Sequence, residues 1–67
     1  MVQKFYVTGM TCAACSARVE KVSRAVPGVE KAEVNLLAGT MAVTAKEDVS
    51  AAVIQAVQHA GYNASLQ

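Results

Sequence analysis

Two cysteines separated by two alanines, Cys12 and Cys15, are the residues of this sequence best suited to chemistry. Their thiolates can bind a soft metal ion or exchange with a disulfide. The sequence offers these two thiols, at most one nearby imidazole (His59) and no carboxylate beside the pair. A structural zinc site takes four ligands, whereas Cu(I) prefers sulfur and, like Hg(II), is satisfied by two nearly linear ligands. The pair therefore favours one Cu(I) ion.

The position of the pair in the chain also favours metal binding. Cys12 is predicted in a loop and Cys15 in the first turn of a helix, because an amphipathic period begins at about Ala13. Unpaired N–H groups and the positive end of the helix lower the pKa of thiols placed there. Two ligands leave an approach for a third sulfur from another protein. We therefore expect metal to pass to or from a partner by exchange of thiolate ligands.

The rest of the chain alternates between strand and helix patterns. Residues 3–8 alternate with Phe5 and Val7 on one side, and Pro27-Gly28 stops the first helix. Strands are predicted over 29–36, 40–45 and 62–66. A second helix, capped by Asp48 or Ser50, is predicted to end before Gly61.

The element order βαββαβ predicts an α+β fold. Short connections and right-handed crossovers give a four-stranded antiparallel sheet with both helices on one face. Three loops then meet at one end of the domain: 9–15, 37–39 and 59–62. The cysteines are predicted at that end, on the surface.

Size and charge exclude several function classes. Sixty-seven residues, read as one domain over 1–67, leave no room for a deep substrate pocket, so we expect no enzyme. A net charge of +1 does not suggest nucleic-acid binding. No apolar run is long enough to span a membrane or to act as a secretory signal, which predicts a cytoplasmic chain.

The run 9–15, GMTCAAC, opening a helix, resembles the signature of the heavy-metal-associated domain family. Pro27-Gly28-Val29 before the second strand and Ala60-Gly61-Tyr62 before the last one extend the resemblance to the whole chain. The family comprises copper chaperones, N-terminal metal-binding domains of copper-transporting P-type ATPases and the periplasmic mercury-binding protein. The resemblance implies a ferredoxin-like fold, Cu(I) held by Cys12 and Cys15, a buried structural Met10 and a Tyr62 that covers the site.

The residues around the motif favour one branch of the family. Bacterial copper chaperones similar to this chain often carry His where it has Ala14, and the mercury protein usually carries Pro where it has Ser16. The resemblance therefore implies an N-terminal domain of a copper-transporting ATPase, with a free chaperone as the alternative. The expected partner is another Cys-x-x-Cys copper protein.

Supporting roles are predicted for several other residues. Gly9, Met10, Thr11 and Tyr62 would support the loop around the pair. Met10 could add a third sulfur ligand, but a methionine beside a loop is more often core filler. Tyr62 is equally explained as an aromatic that only packs. The bases of the first helix form a candidate docking stripe for an acidic partner, or simply a solvated face: Arg18, Lys21 and Arg24.

Other functions and states stay open beside the Cu(I) carrier. A dithiol oxidoreductase is the main alternative, although the chain is short for a thioredoxin-like fold and its only proline, Pro27, is not placed to face the thiols. A Hg(II)- or Zn/Cd-binding domain of the same fold is another. We expect an apo monomer, with a metal-bridged dimer as the alternative once metal is bound.

Overall fold

The chain follows the predicted order of strands and helices. A computed structural model describes all residues, 1–67. Its elements are β1 (Val2–Thr8), α1 (Ala13–Arg24), β2 (Val29–Asn35), β3 (Thr40–Ala45), α2 (Ser50–His59) and β4 (Asn63–Leu66).

The four strands form one antiparallel sheet in the order β2-β3-β1-β4. Both helices pack against the same face of this sheet, which confirms the predicted architecture. The pairing also brings the three predicted loops to one end, because Thr8 pairs with Asn63 and the Val7 N–H donates to the Gly39 carbonyl at 2.8 Å. A Cβ on Gly39 would lie 3.3 Å from the Val7 carbonyl oxygen, so this close approach needs glycine.

A single apolar core lies between the helices and the sheet. The predicted alternation of β1 is confirmed, since Phe5 and Val7 are buried and Tyr6 between them is exposed. Valines supply the largest share of the core, which consists of Phe5, Val7, Val19, Val26, Ala32, Met41, Val43, Ala45, Val49, Val53 and Val57.

Three element ends differ by one residue from the sequence prediction, and the first is the start of β1, which lies at Val2 rather than Gln3. Strand β2 ends at Asn35 rather than Leu36, because the Asn35 carbonyl accepts the Gly39 N–H at 2.9 Å and closes the turn. Strand β4 begins at Asn63, because the Tyr62 N–H donates to the Val57 carbonyl at 3.1 Å and so belongs to the end of α2.

Asp48, one of the two predicted caps, bonds the start of α2 from the residue before the N-cap. Val49 occupies the N-cap position and has no capping side chain. Asp48 instead accepts the Ser50 N–H at 2.9 Å and the Ser50 hydroxyl at 2.7 Å. Gln3 of β1 accepts the Val49 N–H at 3.0 Å and donates to Asp48 at 3.1 Å, which ties the helix to the central strands.

Ser23 is the one polar side chain of the core, and the sequence patterns did not indicate it. It is fully buried in α1, and its hydroxyl has no hydrogen-bond partner. Burying an unpaired hydroxyl costs about 1–3 kcal/mol. We therefore expect Ser23→Ala to raise the free energy of unfolding by about 1 kcal/mol in urea titrations, after allowance for the small void left.

Ser16→Ala is the matched control for this prediction, because its hydroxyl donates to the Ala13 carbonyl at 2.8 Å. The control should show no comparable gain, since a satisfied hydrogen bond is lost. A Ser23→Ala protein less stable than the wild type would mean that the Ser23 hydroxyl has a partner in solution.

Candidate metal centre

The loop that carries the cysteines begins at a glycine with a left-handed backbone. Gly9 ends β1 with φ of 93°. A Cβ there would also meet the Tyr62 ring at 3.5 Å. Gly9 therefore turns the chain out of the sheet and lets the loop lie beside Tyr62, which joins two of the three loops at this end.

The two sulfurs face each other at the start of α1. Cys12 is the extended N-cap residue, and its carbonyl accepts the Cys15 N–H at 3.0 Å and the Ser16 N–H at 3.3 Å. This first turn places the Sγ atoms of Cys12 and Cys15 3.3 Å apart. Cys12 is exposed and Cys15 half-buried, and both are free thiols. The pair is thus open to solvent on one side and held by the helix on the other.

Thr11 lies against Cys15 and does not cap the helix. Its Oγ1 lies 3.8 Å from the Cys15 Sγ, and α1 has no side-chain cap. Thr11 therefore contacts the thiol pair from within the loop.

The surroundings of Cys15 favour its thiolate form. Its pKa is lowered from an ordinary 9.0 to about 6. The largest cause is the hydroxyl of Tyr62, which faces the sulfur without meeting strict hydrogen-bond geometry. The Thr11 N–H, the Cys12 thiol and the Thr11 hydroxyl lower the pKa further, whereas burial raises it. Reciprocally, the pKa of Tyr62 is raised, chiefly by this contact with Cys15. The sequence predicted a lowered thiol pKa at the helix end, and in the structure the pKa of Cys15 is lowered by hydrogen bonds of which those from Tyr62 and Thr11 come first.

Removing the Tyr62 hydroxyl should therefore raise the pKa of Cys15. A group whose pKa is depressed is ionised above that pKa, so wild-type Cys15 should become reactive as pH rises through about 6. In Tyr62→Phe this transition should move to higher pH. The measurement is the pH dependence of iodoacetamide alkylation, with Cys12 and Cys15 separated by peptide mass spectrometry.

Thr11→Val serves as the control, because it removes a smaller contribution and keeps the Thr11 N–H; its shift should have the same sign and be smaller. Equal alkylation profiles for wild type and Tyr62→Phe would show that the loop alone sets the reactivity of Cys15.

Met10 and His59, the other candidate ligands, lie in different parts of the molecule. Met10 is half-buried and packs against the core. His59 lies on a shallow groove between the helices with Val22 and Gln55, rather than with the thiols. No third His, Cys, Asp or Glu side chain joins the cysteines to form a metal-binding group.

The predicted docking stripe is exposed along its length: Arg18, Lys21 and Arg24. Arg24 is paired with Glu20 at 3.7 Å, a solvent-exposed contact of small energetic weight. Arg18 and Lys21 take part in no ion pair.

One surface feature was missed by the sequence reasoning. Leu37, in the turn between β2 and β3 at the same end as the cysteines, is 100% exposed. The doublet of leucines at 36 and 37 was the available signal, because one turn cannot bury both side chains.

The chain is similar in sequence to proteins of one metal-binding family. Residues 4–63 match the heavy-metal-associated domain family. A copper-transporting ATPase 1 from Rhizobium meliloti (strain 1021) is 49% identical over 65 residues, which cover 94% of this chain and 8% of that protein. The chain thus spans less than a tenth of the length of this relative.

Two solved structures of metal-binding domains have the same fold as this chain. A copper binding domain from a P-type ATPase is 34% identical, covering 98% of this chain and 92% of that one with a TM-score of 0.90. The N-terminal domain of ZntA in the Zn(II) form is 35% identical, covering 98% and 90%, also with a TM-score of 0.90.

Neither helix has the length and apolar character needed to cross a bilayer. The ferredoxin-like architecture, the paired thiols at its exposed end and a family match over nearly the whole chain agree with one another. The chain belongs to the heavy-metal-associated domain family and is a metal-binding module rather than an enzyme.

Proposed function

We propose that this chain carries one Cu(I) ion on Cys12 and Cys15 and passes it to or from a partner by exchange of thiolates. The observation that supports this most directly is the pair of sulfurs 3.3 Å apart at an exposed end, with no third His, Cys, Asp or Glu side chain to complete a larger metal-binding group. Two sulfur ligands suit a soft ion such as Cu(I), whereas a structural Zn(II) site uses four ligands. The copper transport named for its relative supports the same cargo.

The spacing of the sulfurs fits metal binding after a small movement. With metal–sulfur bonds of about 2.3 Å, sulfurs 3.3 Å apart enclose an angle of about 90° at the metal. Near-linear coordination therefore needs the sulfurs to separate by about 1 Å. Cys12 is the sulfur with freedom to move, because it is exposed and precedes the first helical residue, whereas Cys15 is held within α1.

Transfer of the ion to a partner is supported by the exposure of the end of the domain that carries the thiols. A partner thiolate can add to the metal as a third ligand before one of this chain's sulfurs leaves, so the ion is never free. The fully exposed Leu37 and the exposed Ala13 and Ala14 supply an apolar surface for that encounter. The unpaired bases Arg18 and Lys21 would attract an acidic partner and raise the encounter rate.

The similarity to a copper-transporting ATPase supports a role for this chain within such a transporter. We place residues 1–67 as one N-terminal domain of such a transporter on the cytosolic face of a membrane, with a free chaperone as the second form. The partner is then another Cys-x-x-Cys copper protein. The domain is monomeric without metal.

An anaerobic Cu(I) titration of the reduced protein against a chromophoric Cu(I) chelator tests the proposal, with Zn(II) titrated in parallel. The Zn(II) form of a structural relative makes Zn(II) the relevant competitor. One equivalent of Cu(I) withheld from the chelator, with Zn(II) held far more weakly, is the expected result. A protein that cannot compete with the chelator would end the copper-carrier proposal.

A dithiol oxidoreductase is the second candidate, and the lowered pKa of Cys15 together with the 3.3 Å sulfur separation favours it. The thiol with the lowered pKa is the half-buried one, however, and a redox nucleophile has to be accessible. We expect exchange with a small aromatic disulfide at the rate of an ordinary thiol of the same pKa. A rate far above that would favour the redox function.

A further inference from the structure

We infer that Arg18 is a specificity-determining residue of this site, which biases the pair of thiols towards a monovalent and against a divalent ion. The inference rests on the proposed function and concerns a different property from partner docking. It follows from where Arg18 lies relative to Cys15 and from the charge of the complexes that the two thiolates form.

Arg18 is the base of α1 nearest the thiols. It follows Cys15 by three residues, about 4.5 Å along the helix axis and about 60° around it. Lys21 lies about 9 Å along and about 120° around, and Arg24 lies on the opposite side of the helix. Arg18 is exposed and forms no ion pair, so no other side chain neutralises its charge.

No acidic side chain compensates for Arg18 at this end. The five acidic residues of the chain lie in α1, in β2 and immediately before α2, and none lies in the three loops that meet here. Glu20, the only acid of α1, is paired with Arg24. The environment of the two sulfurs is therefore positive.

The charge of the loaded site depends on the ion. Two thiolates and Cu(I) give a net charge of −1, whereas two thiolates and Zn(II) give zero. A nearby cation stabilises the first complex relative to the second. Both ions bind the same metal-free site and displace the same protons from it. The effect of protonation therefore cancels in the ratio of the two dissociation constants. Arg18 should therefore raise the preference for Cu(I) over Zn(II) at any pH.

The experiment measures Cu(I) and Zn(II) dissociation constants by competition with metal-specific chelators, for wild type and four variants at low and high salt. Exposed charges at this range change an equilibrium by about threefold per unit charge. The ratio of the Zn(II) to the Cu(I) constant should fall about threefold in Arg18→Gln and about tenfold in Arg18→Glu, and Arg18→Lys should retain most of it. These changes should shrink at high salt.

Lys21→Gln is the matched control, because it removes the same charge one turn further away, and its ratio should change less than that of Arg18→Gln. If the wild type binds Cu(I) and Arg18→Glu leaves the ratio of the two dissociation constants unchanged, the inference is overturned and the proposed function stands. Equal effects of Arg18→Gln and Lys21→Gln would also overturn it, since net charge rather than position would then be responsible. A wild type that binds no Cu(I) refutes the proposed function itself.

Discussion

Replacing Cys15 with serine will abolish tight Cu(I) binding and leave the fold in place. Four ligands bind structural Zn(II) with about 10–16 kcal/mol, so each ligand contributes about 3 kcal/mol and its loss costs at least about a hundredfold in affinity. The loss is larger for a site with two ligands, because the remaining sulfur alone cannot chelate. Cys12→Ser should behave in the same way, since the two sulfurs lie 3.3 Å apart, close enough for both to bind the same ion.

The fold should survive these substitutions, because Cys12 is exposed, Cys15 is half-buried and neither belongs to the apolar core. The measurement is the same anaerobic competition for Cu(I), together with the thermal unfolding midpoint of each metal-free protein. Ala14→Ser is the matched control, since Ala14 lies exposed between the cysteines, and it should bind as the wild type does. Wild-type Cu(I) affinity in Cys15→Ser would refute the assignment of this ligand.

Replacing Phe5 with alanine will destabilise the metal-free protein almost to the limit of its stability. Phe5 is fully buried at the centre of β1 and is the only large aromatic of the core. Deleting such a side chain costs about 3–5 kcal/mol. A chain of 67 residues has about 3–10 kcal/mol available, at the usual stability per residue. The thermal midpoint should therefore fall by at least about 15 °C.

Tyr6→Ala is the control for this prediction, because Tyr6 is the next residue of the same strand and is 54% exposed to solvent. It should change the unfolding free energy by less than about 1 kcal/mol. Nearly equal midpoints for Phe5→Ala and Tyr6→Ala would contradict the placement of the core on one face of the sheet.

The two predictions are linked through metal binding. An ion that binds only the folded state stabilises it in proportion to the logarithm of its concentration over the dissociation constant. Cu(I) should therefore raise the midpoint of Phe5→Ala, and it should fail to do so when Cys15→Ser is present in the same chain. Rescue in the single variant and none in the double would show that the ion binds the folded site through Cys15.

The sequence by itself determined the elements and the position of the thiol pair. Period-two alternation located Phe5 and Val7 on the inner face of β1, and the change to a helical period located Cys15 in the first turn of α1. These features are local, since they depend on which side chains an extended or helical backbone sends to one side. The placement of both sulfurs at one end was predicted from the element order, because short connections and right-handed crossovers leave one arrangement in which the loop 9–15 lies at an end of the sheet.

Only the tertiary structure decided what surrounds the thiols. Tyr62 is 47 positions from Cys15, and the pairing of Thr8 with Asn63 brings the two together and makes Tyr62 the main cause of the lowered pKa. The unpaired hydroxyl of Ser23 and the full exposure of Leu37 likewise depend on contacts made or missed across the fold. A sequence pattern shows which residues share a face of one element, whereas contacts between elements depend on strand order, register and packing.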